Sequence, residues 1–170
     1  MCGIIGIIGR EQVSERLIQG LRRLEYRGYD SAGVCTVVDG TLERRRAEGK
    51  LENLVRVLAA EPLTGTIGIA HTRWATHGAP TVGNAHPHIV DGVALVHNGI
   101  IENFRPLREE MRALGRHFES ETDSEVVAHL VANELGKGLS PQDAVAAVLP
   151  RLEGAFAVVE TVHCRSLVDA

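Results

Sequence analysis

Cysteine is scarce: Cys2, Cys35 and Cys164 are the only three in 170 residues. Three thiols cannot all pair and none lies in a Cys-x-x-Cys spacing, which argues against both a disulfide framework and a thiolate zinc site. A reducing, cytoplasmic setting is the expectation. Positive charge is not in excess either. Eighteen Lys and Arg stand against 22 Asp and Glu, a net charge of -4, so nothing suggests a nucleic-acid surface and a small-molecule partner is favoured. Six prolines and eighteen glycines fall short of a low-complexity signature. Long hydrophobic runs are missing too: the Ile-rich stretch 4–8 is interrupted by Gly6, ended by Gly9 and preceded by no basic region. It is too short for a signal core or a membrane-spanning helix. What is there is ordinary for a folded protein, 44% apolar and 24% charged. The length suffices for about one domain that buries ~70% of its unfolded surface.

The pattern of apolar residues predicts the elements. Cys2 to Ile8 reads as a buried strand, and Glu11 to Leu24 as a helix with Val13, Leu17, Leu21 and Leu24 on one face. Ser31 to Val38 and Thr41 to Ala47 are strands joined by Asp39-Gly40, a strong two-residue hairpin signal. Lys50 to Ala60 is an amphipathic helix closed by Pro62. Thr66 to Arg73 and Val93 to Ile101 read as central strands, separated by a long loop, Ala75 to His88, of the kind that carries function. Asn103 to Leu114, Ser124 to Leu135 and the segment from Ser140-Pro141 through Leu149 are helices, and Ala155 to Val162 is a last strand. Clustered strands and clustered helices favour an α+β layered architecture over βαβ alternation. No repeat or linker divides the chain.

Several residues can carry chemistry. Removal of Met1 makes Cys2 the first residue, so that a thiol and a free α-amine share one carbon. An α-amine titrates near ~7.7 to 8.0 and a thiol near ~8.5, so one residue supplies both nucleophile and base. The bland alternative is a small residue opening a strand. Asn98 and Gly99 offer a side-chain amide and a close backbone N–H, two donors able to form an oxyanion hole, or else a tight hairpin turn. Arg73 suits a carboxylate through its planar fork, or a surface salt bridge. Trp74, the only tryptophan, suits a ligand contact or the core, and Asp123 a ligand or the N-cap of the helix at Ser124. His71, His77, His86, His88 and His97 raise a metal site, but no His-Glu-x-x-His helix or matching carboxylate pattern accompanies them, so no metal is expected. Arg44-Arg45-Arg46 reads as a solvated, charge-guarded edge, and Cys35 and Cys164 as inert thiols.

Six segments together carry a family resemblance: Cys2-Gly3-Ile4, Tyr26 to Gly33, His71 to Gly78, Asn84 to His88, Val96 to Asn103, and Thr122 to Glu125. The chain closely resembles, from Cys2 to about Val159, the glutaminase domain of the glucosamine-6-phosphate synthase family, within the class II (N-terminal cysteine) glutamine amidotransferases. The resemblance implies an N-terminal nucleophile hydrolase fold, a four-layer sandwich of two antiparallel sheets between helical layers. It implies a type 2 amidotransferase domain over residues 2–170, incomplete at its C-terminal end, with the sugar-isomerase domains absent. It implies Cys2 as nucleophile, Asn98 and Gly99 as the oxyanion hole, Arg73 on the substrate α-carboxylate and Asp123 on its α-ammonium. Trp74, Thr76 and His77 correspond to the loop over the substrate, and Arg27 to a residue ordering the nucleophile. The implied substrate is L-glutamine, with no cofactor. An ammonia-accepting domain for fructose 6-phosphate belongs to the complete enzyme, which is expected to dimerise. Two other readings stay open at this level: a catalytically silent glutamine-binding fragment, and a metal-dependent hydrolase built on the histidines. Glu160 to Ala170 departs from the family pattern.

Overall fold

A computed structural model describes residues 2–162. The chain runs β1 (Gly3–Ile8), α1 (Ser14–Arg22), β2 (Ser31–Val38), β3 (Thr41–Glu48), α2 (Leu51–Ala60), β4 (Ile67–Arg73), β5 (His88–Val90), β6 (Val93–Gly99), α3 (Phe104–Ala113), α4 (Ser124–Gly136), α5 (Pro141–Val148) and β7 (Phe156–Val162). One sheet has the order β1-β4-β2-β3 and the other β5-β6-β7, and every pairing is antiparallel.

Three apolar layers hold four structural ones. Leu17 and Leu21 of α1 and Leu51 and Leu54 of α2 pack on Val34 and Ala70 of the first sheet. Leu107 and Met111 of α3, with Leu130, Val131 and Val148 from α4 and α5, pack on Val93 and Leu95 of the second. Cys35 and Ile69 meet Ala94 and Val96 between the sheets. β6 explains why its sequence is apolar without interruption: alternate side chains face the helices and the opposite sheet, and both faces are buried. The same alternation places Asn98 on the inter-sheet face with Ala94 and Val96. On β4 it places Arg73 with His71 and Ile69. α4 is buried from Ser124 to Ala132, which is why its apolar residues go all round rather than forming a stripe.

The differences from expectation have local causes. The first helix starts at Ser14, three residues late, because the Val13 N–H bonds the Gly65 carbonyl at 3.0 Å and ties that segment to the strand edge. It ends at Arg22, with a separate 3-10 turn at Glu25–Arg27. Likewise α5 stops at Val148 and a 3-10 turn covers Leu149–Arg151. The loop predicted up to His88 ends in β5, and β5 and β6 are joined by Asp91-Gly92, both at positive φ (44° and 84°). That turn has the same sequence signal as Asp39-Gly40, whose φ values are 47° and 74°. β6 ends at Gly99, so the strand expected through Ile101 is two residues shorter. Ser140 caps α5 as expected, its Oγ accepting from the Asp143 N–H at 3.2 Å. Cys164 lies outside the described residues.

Candidate active site

Antiparallel pairing of β1 with β4 sets Gly3 opposite Thr72, and so brings Cys2 to the end of β4 where Arg73 and Trp74 leave the sheet. The Gly3 N–H donates to Thr72 Oγ1 at 3.1 Å, and the Trp74 N–H donates to Cys2 Sγ at 3.2 Å. Cys2 is half-buried, and its thiol borders a cleft. Burial pushes the thiol above its ordinary pKa, opposed by the Trp74 hydrogen bond and the Arg73 charge. At neutral pH it therefore rests as the thiol and needs a base nearby to become a nucleophile.

Asn98 arrives on β6 and donates from Nδ2 to the Cys2 carbonyl at 3.4 Å. The hairpin-turn alternative for Asn98-Gly99 does not hold, since both residues remain paired in the strand, opposite Ala157 and Phe156. Gly99 has φ +132°, and a Cβ there would sit 2.2 Å from the Ala155 carbonyl oxygen. Only glycine fits this backbone. A cleft is lined by Cys2, Arg73, Trp74, Thr76, His77, Gly99 and Asp123. Asn98 borders Cys2 from the side. Arg27 lies exposed on the 3-10 turn, its guanidinium over the Tyr26 ring and outside the cleft lining.

Arg73 is 4% exposed, which rules out a surface salt bridge. Its fork donates to the carbonyls of His77, Gly78 (3.0 Å) and Ala79 (3.1 Å), and Asp30 Oδ1 lies 3.7 Å away. Asp30 also accepts from the Ala75 N–H at 2.5 Å, so it buttresses both the arginine and the start of the loop. Trp74 is 53% exposed and not a core residue, while His77 packs edge-on against Phe104.

Asp123 occupies the N-cap position of α4 but does not cap it. Its backbone is already helical, and Oδ2 accepts instead from the Ile101 N–H at 2.9 Å; the Glu125 N–H turns to Thr122 Oγ1. The carboxylate thereby ties the helix start to the segment after Gly99. The loop before it is held by Glu125, which accepts from the N–H groups of Glu119 and Ser120 at 2.8 and 2.7 Å and from Ser120 Oγ at 2.6 Å. Burial alone raises the Glu125 pKa, but His129, whose Nε2 lies 3.6 Å from the carboxylate, together with these donors outweighs it and holds it at about 2. Arg108 braces the same loop through the Ser120 and Thr122 carbonyls, and His88 Nε2 meets Thr122 Oγ1 at 2.9 Å.

A folded-state pKa below the unfolded value stabilises the fold above the unfolded pKa, and this is lost as pH falls toward the folded one. Glu125→Gln is therefore expected to cost roughly 2 to 3 kcal/mol at pH 7. Urea unfolding of both proteins should show a gap that is constant above about pH 6 and narrows below about pH 4.5. A gap independent of pH would refute the ionised role.

The histidines expected from sequence converge without forming a metal cage. His71 and His86 stack at 4.2 Å and His86 meets His88 edge-on at 4.7 Å. Burial lowers the pKa of His71 and His88 to about 3, so these rings are neutral packing groups at neutral pH. Among the described residues no group of three or more His, Cys, Asp or Glu is placed to hold a metal ion. The arginine run is a correction: Arg44 reaches the Pro87 carbonyl and Arg46 those of Gly83 and Ala85, pinning the loop that carries His86 instead of forming a solvated edge. Gly33 lets that loop approach, since a Cβ there would lie 2.1 Å from the His86 carbonyl oxygen. Cys35 is fully buried between the sheets and its thiol is pushed up to about 12, as an inert thiol would be. No described helix is long and apolar enough to cross a membrane.

Comparison with known proteins adds independent findings. The glutamine amidotransferase domain family matches residues 71–166. The isomerizing glutamine–fructose-6-phosphate aminotransferase of Zymomonas mobilis is 72% identical over 158 residues, covering 93% of this chain and 26% of that protein. One from Rhizobium meliloti is 64% identical over the same coverage. The chain thus spans about a quarter of the length of the curated relatives it matches. Among solved structures, the glutamine phosphoribosylpyrophosphate amidotransferase from B. subtilis superposes with a TM-score of 0.80 at 27% identity, over 96% of this chain and 35% of that one. A class-II domain protein from Silicibacter pomeroyi, 17% identical, gives 0.64 over 96% and 73%, a likeness of fold alone. The two-sheet sandwich is the N-terminal nucleophile hydrolase fold that the sequence resemblance implied.

Proposed function

The chain belongs to the glutamine amidotransferase family, and from that premise we propose that it hydrolyses the side-chain amide of L-glutamine to glutamate and ammonia. The observation that carries the reading is the meeting of the Cys2 thiol with a cleft that has a buried guanidinium, Arg73, and a buried carboxylate, Asp123, in its lining. An amino acid has one charge for each.

In this reading Met1 is removed and the freed α-amine takes the thiol proton. Cys2 Sγ bonds to the amide carbon, and the oxyanion is met by the Asn98 side-chain amide and the Gly99 N–H. The C–N bond then breaks, the amine returns its proton to the leaving nitrogen, and ammonia departs. Water attacks the thioester, passes its proton through the amine back to sulfur, and glutamate leaves. For the substrate carboxylate to reach Arg73, the fork must exchange some of the loop carbonyls it now holds. Trp74, Thr76 and His77 on that loop would cover the bound molecule, and Arg27 would support the nucleophile from outside. No cofactor enters these steps.

Residues 2–170 would then be the glutaminase part of a longer enzyme. The ammonia acceptor would be a synthase part acting on fructose 6-phosphate, as the relatives' names indicate, in an assembly that dimerises. An ammonia-release assay on the chain, with an electrophilic glutamine analogue followed by peptide mapping, tests the proposal. Label on Cys2 together with glutamate formation is expected. Stabilisation by glutamine with no ammonia would mean a binding fragment, and label elsewhere would move the nucleophile.

A further inference from the structure

Ala79, Asn84 and Glu121 form a closed set of hydrogen bonds. Asn84, 4% exposed, donates from Nδ2 to the Ala79 carbonyl at 3.0 Å and to Glu121 Oε2 at 3.2 Å, while its Oδ1 accepts from the Glu121 N–H at 2.9 Å. The Ala79 N–H completes the set on the same Glu121 oxygen at 3.4 Å. A primary amide offers donors and an acceptor at once, and a carboxylate or an apolar side chain of the same size does not. Gly78 permits the approach: at φ +79°, a Cβ there would stand 2.7 Å from Asn84 Nδ2 and 3.2 Å from the Glu121 side chain.

The position of this set matters more than its strength. The Ala79 carbonyl it holds also accepts from Arg73 Nη1 at 3.1 Å. Glu121 stands two residues before Asp123, in the loop pinned by Glu125 and Arg108. Arg73 belongs to the four-stranded sheet and Asp123 to the helix layer over the other, so Asn84 joins two loops from opposite sides of the sandwich. The Ala79 carbonyl also keeps the Thr81 N–H at 2.8 Å, and it is held by Arg73 Nη1 whereas Nη2 holds the His77 and Gly78 carbonyls, so Nη2 can turn to a ligand while the Ala79 contact stays.

We infer that Asn84, paired with Glu121, is a positioning residue that sets the separation of Arg73 and Asp123, and hence selects a ligand with a carboxylate and an ammonium on one carbon. This rests on the proposed glutamine site. The two groups are joined through a single carbon, so displacing one anchor by about an ångström loses the simultaneous fit.

The test is L-glutamine binding by calorimetry in a Cys2→Ala background, where turnover does not enter, with Asn84→Asp and Asn84→Leu added singly. Each is expected to weaken glutamine about tenfold. Binding of 4-carbamoylbutanoate, which is glutamine without its α-amine and so engages Arg73 alone, is expected to change by less than about twofold. Adding Glu121→Gln to Asn84→Asp removes the repulsion between two carboxylates and is expected to recover at least about threefold. Equal weakening of both ligands would overturn the inference, because a general loss of structure does not distinguish them. Unchanged glutamine affinity, even with a lower melting temperature, would overturn it too, as would a background chain that binds no glutamine. Failure of the Cys2-containing chain to release ammonia would instead refute the hydrolytic reading and leave the binding comparison standing.

Discussion

Cys2→Ala is expected to abolish ammonia release from L-glutamine, by ~10³-fold or more, with glutamine binding kept. The size follows from the chemistry: without sulfur no thioester forms, and what remains is direct attack of water aided by the oxyanion donors. The Cys2 thiol is raised by burial, so sulfur alone is not enough. A chain that keeps Met1 turns the α-amine into an amide that cannot accept the proton, and it should be as inactive as the alanine variant although it carries the thiol. Intact mass of the purified N-terminus, measured with ammonia release on fractions with and without Met1, checks both. Turnover that survives alkylation of Cys2 would remove the foundation of the mechanism.

Asn98→Ala is expected to lower kcat by ~10²- to 10³-fold, as loss of one oxyanion donor does elsewhere, with KM within about threefold. KM is spared because Asn98 does not line the cleft where Arg73 and Asp123 stand; its amide lies toward the Cys2 backbone, 3.4 Å from that carbonyl. Asn98→Asp should be no better, since a carboxylate keeps the shape but puts negative charge where the oxyanion develops. Steady-state kinetics on both variants decide it. A loss confined to KM would assign Asn98 to substrate binding, and full activity would remove it from the mechanism.

Much of the architecture could be read from residue order. Strand and helix spacing located the long elements, and Asp39-Gly40 located a hairpin, because those signals depend on neighbours within a few residues. Where two reasonable local signals competed, the fold chose. Asn98-Gly99 has the composition of a turn but runs as a strand, because β7 pairs along it. Asp123 has the composition of a cap but reaches Ile101, twenty-two residues away. Arg44 and Arg46 look like a solvated edge, yet the 83–87 loop folds over β3 and offers them carbonyls. Asn84 and Glu125 lie within segments that carry the family resemblance but showed no role of their own there, and Glu121 carried no local signal for one.

The order of amino acids by itself determined the layered α+β class and the family resemblance, and it singled out Cys2 as the thiol we propose to be reactive. These rest on periodicity and on side-chain types in contiguous motifs. Tertiary structure alone decided which groups meet. Arg73, Asn84 and Arg108 bind backbone carbonyls, and Asp123 and Glu125 bind backbone N–H groups. Every residue but proline offers both of these groups alike, so no side chain announces the partner, and only the path of the folded chain brings it within reach.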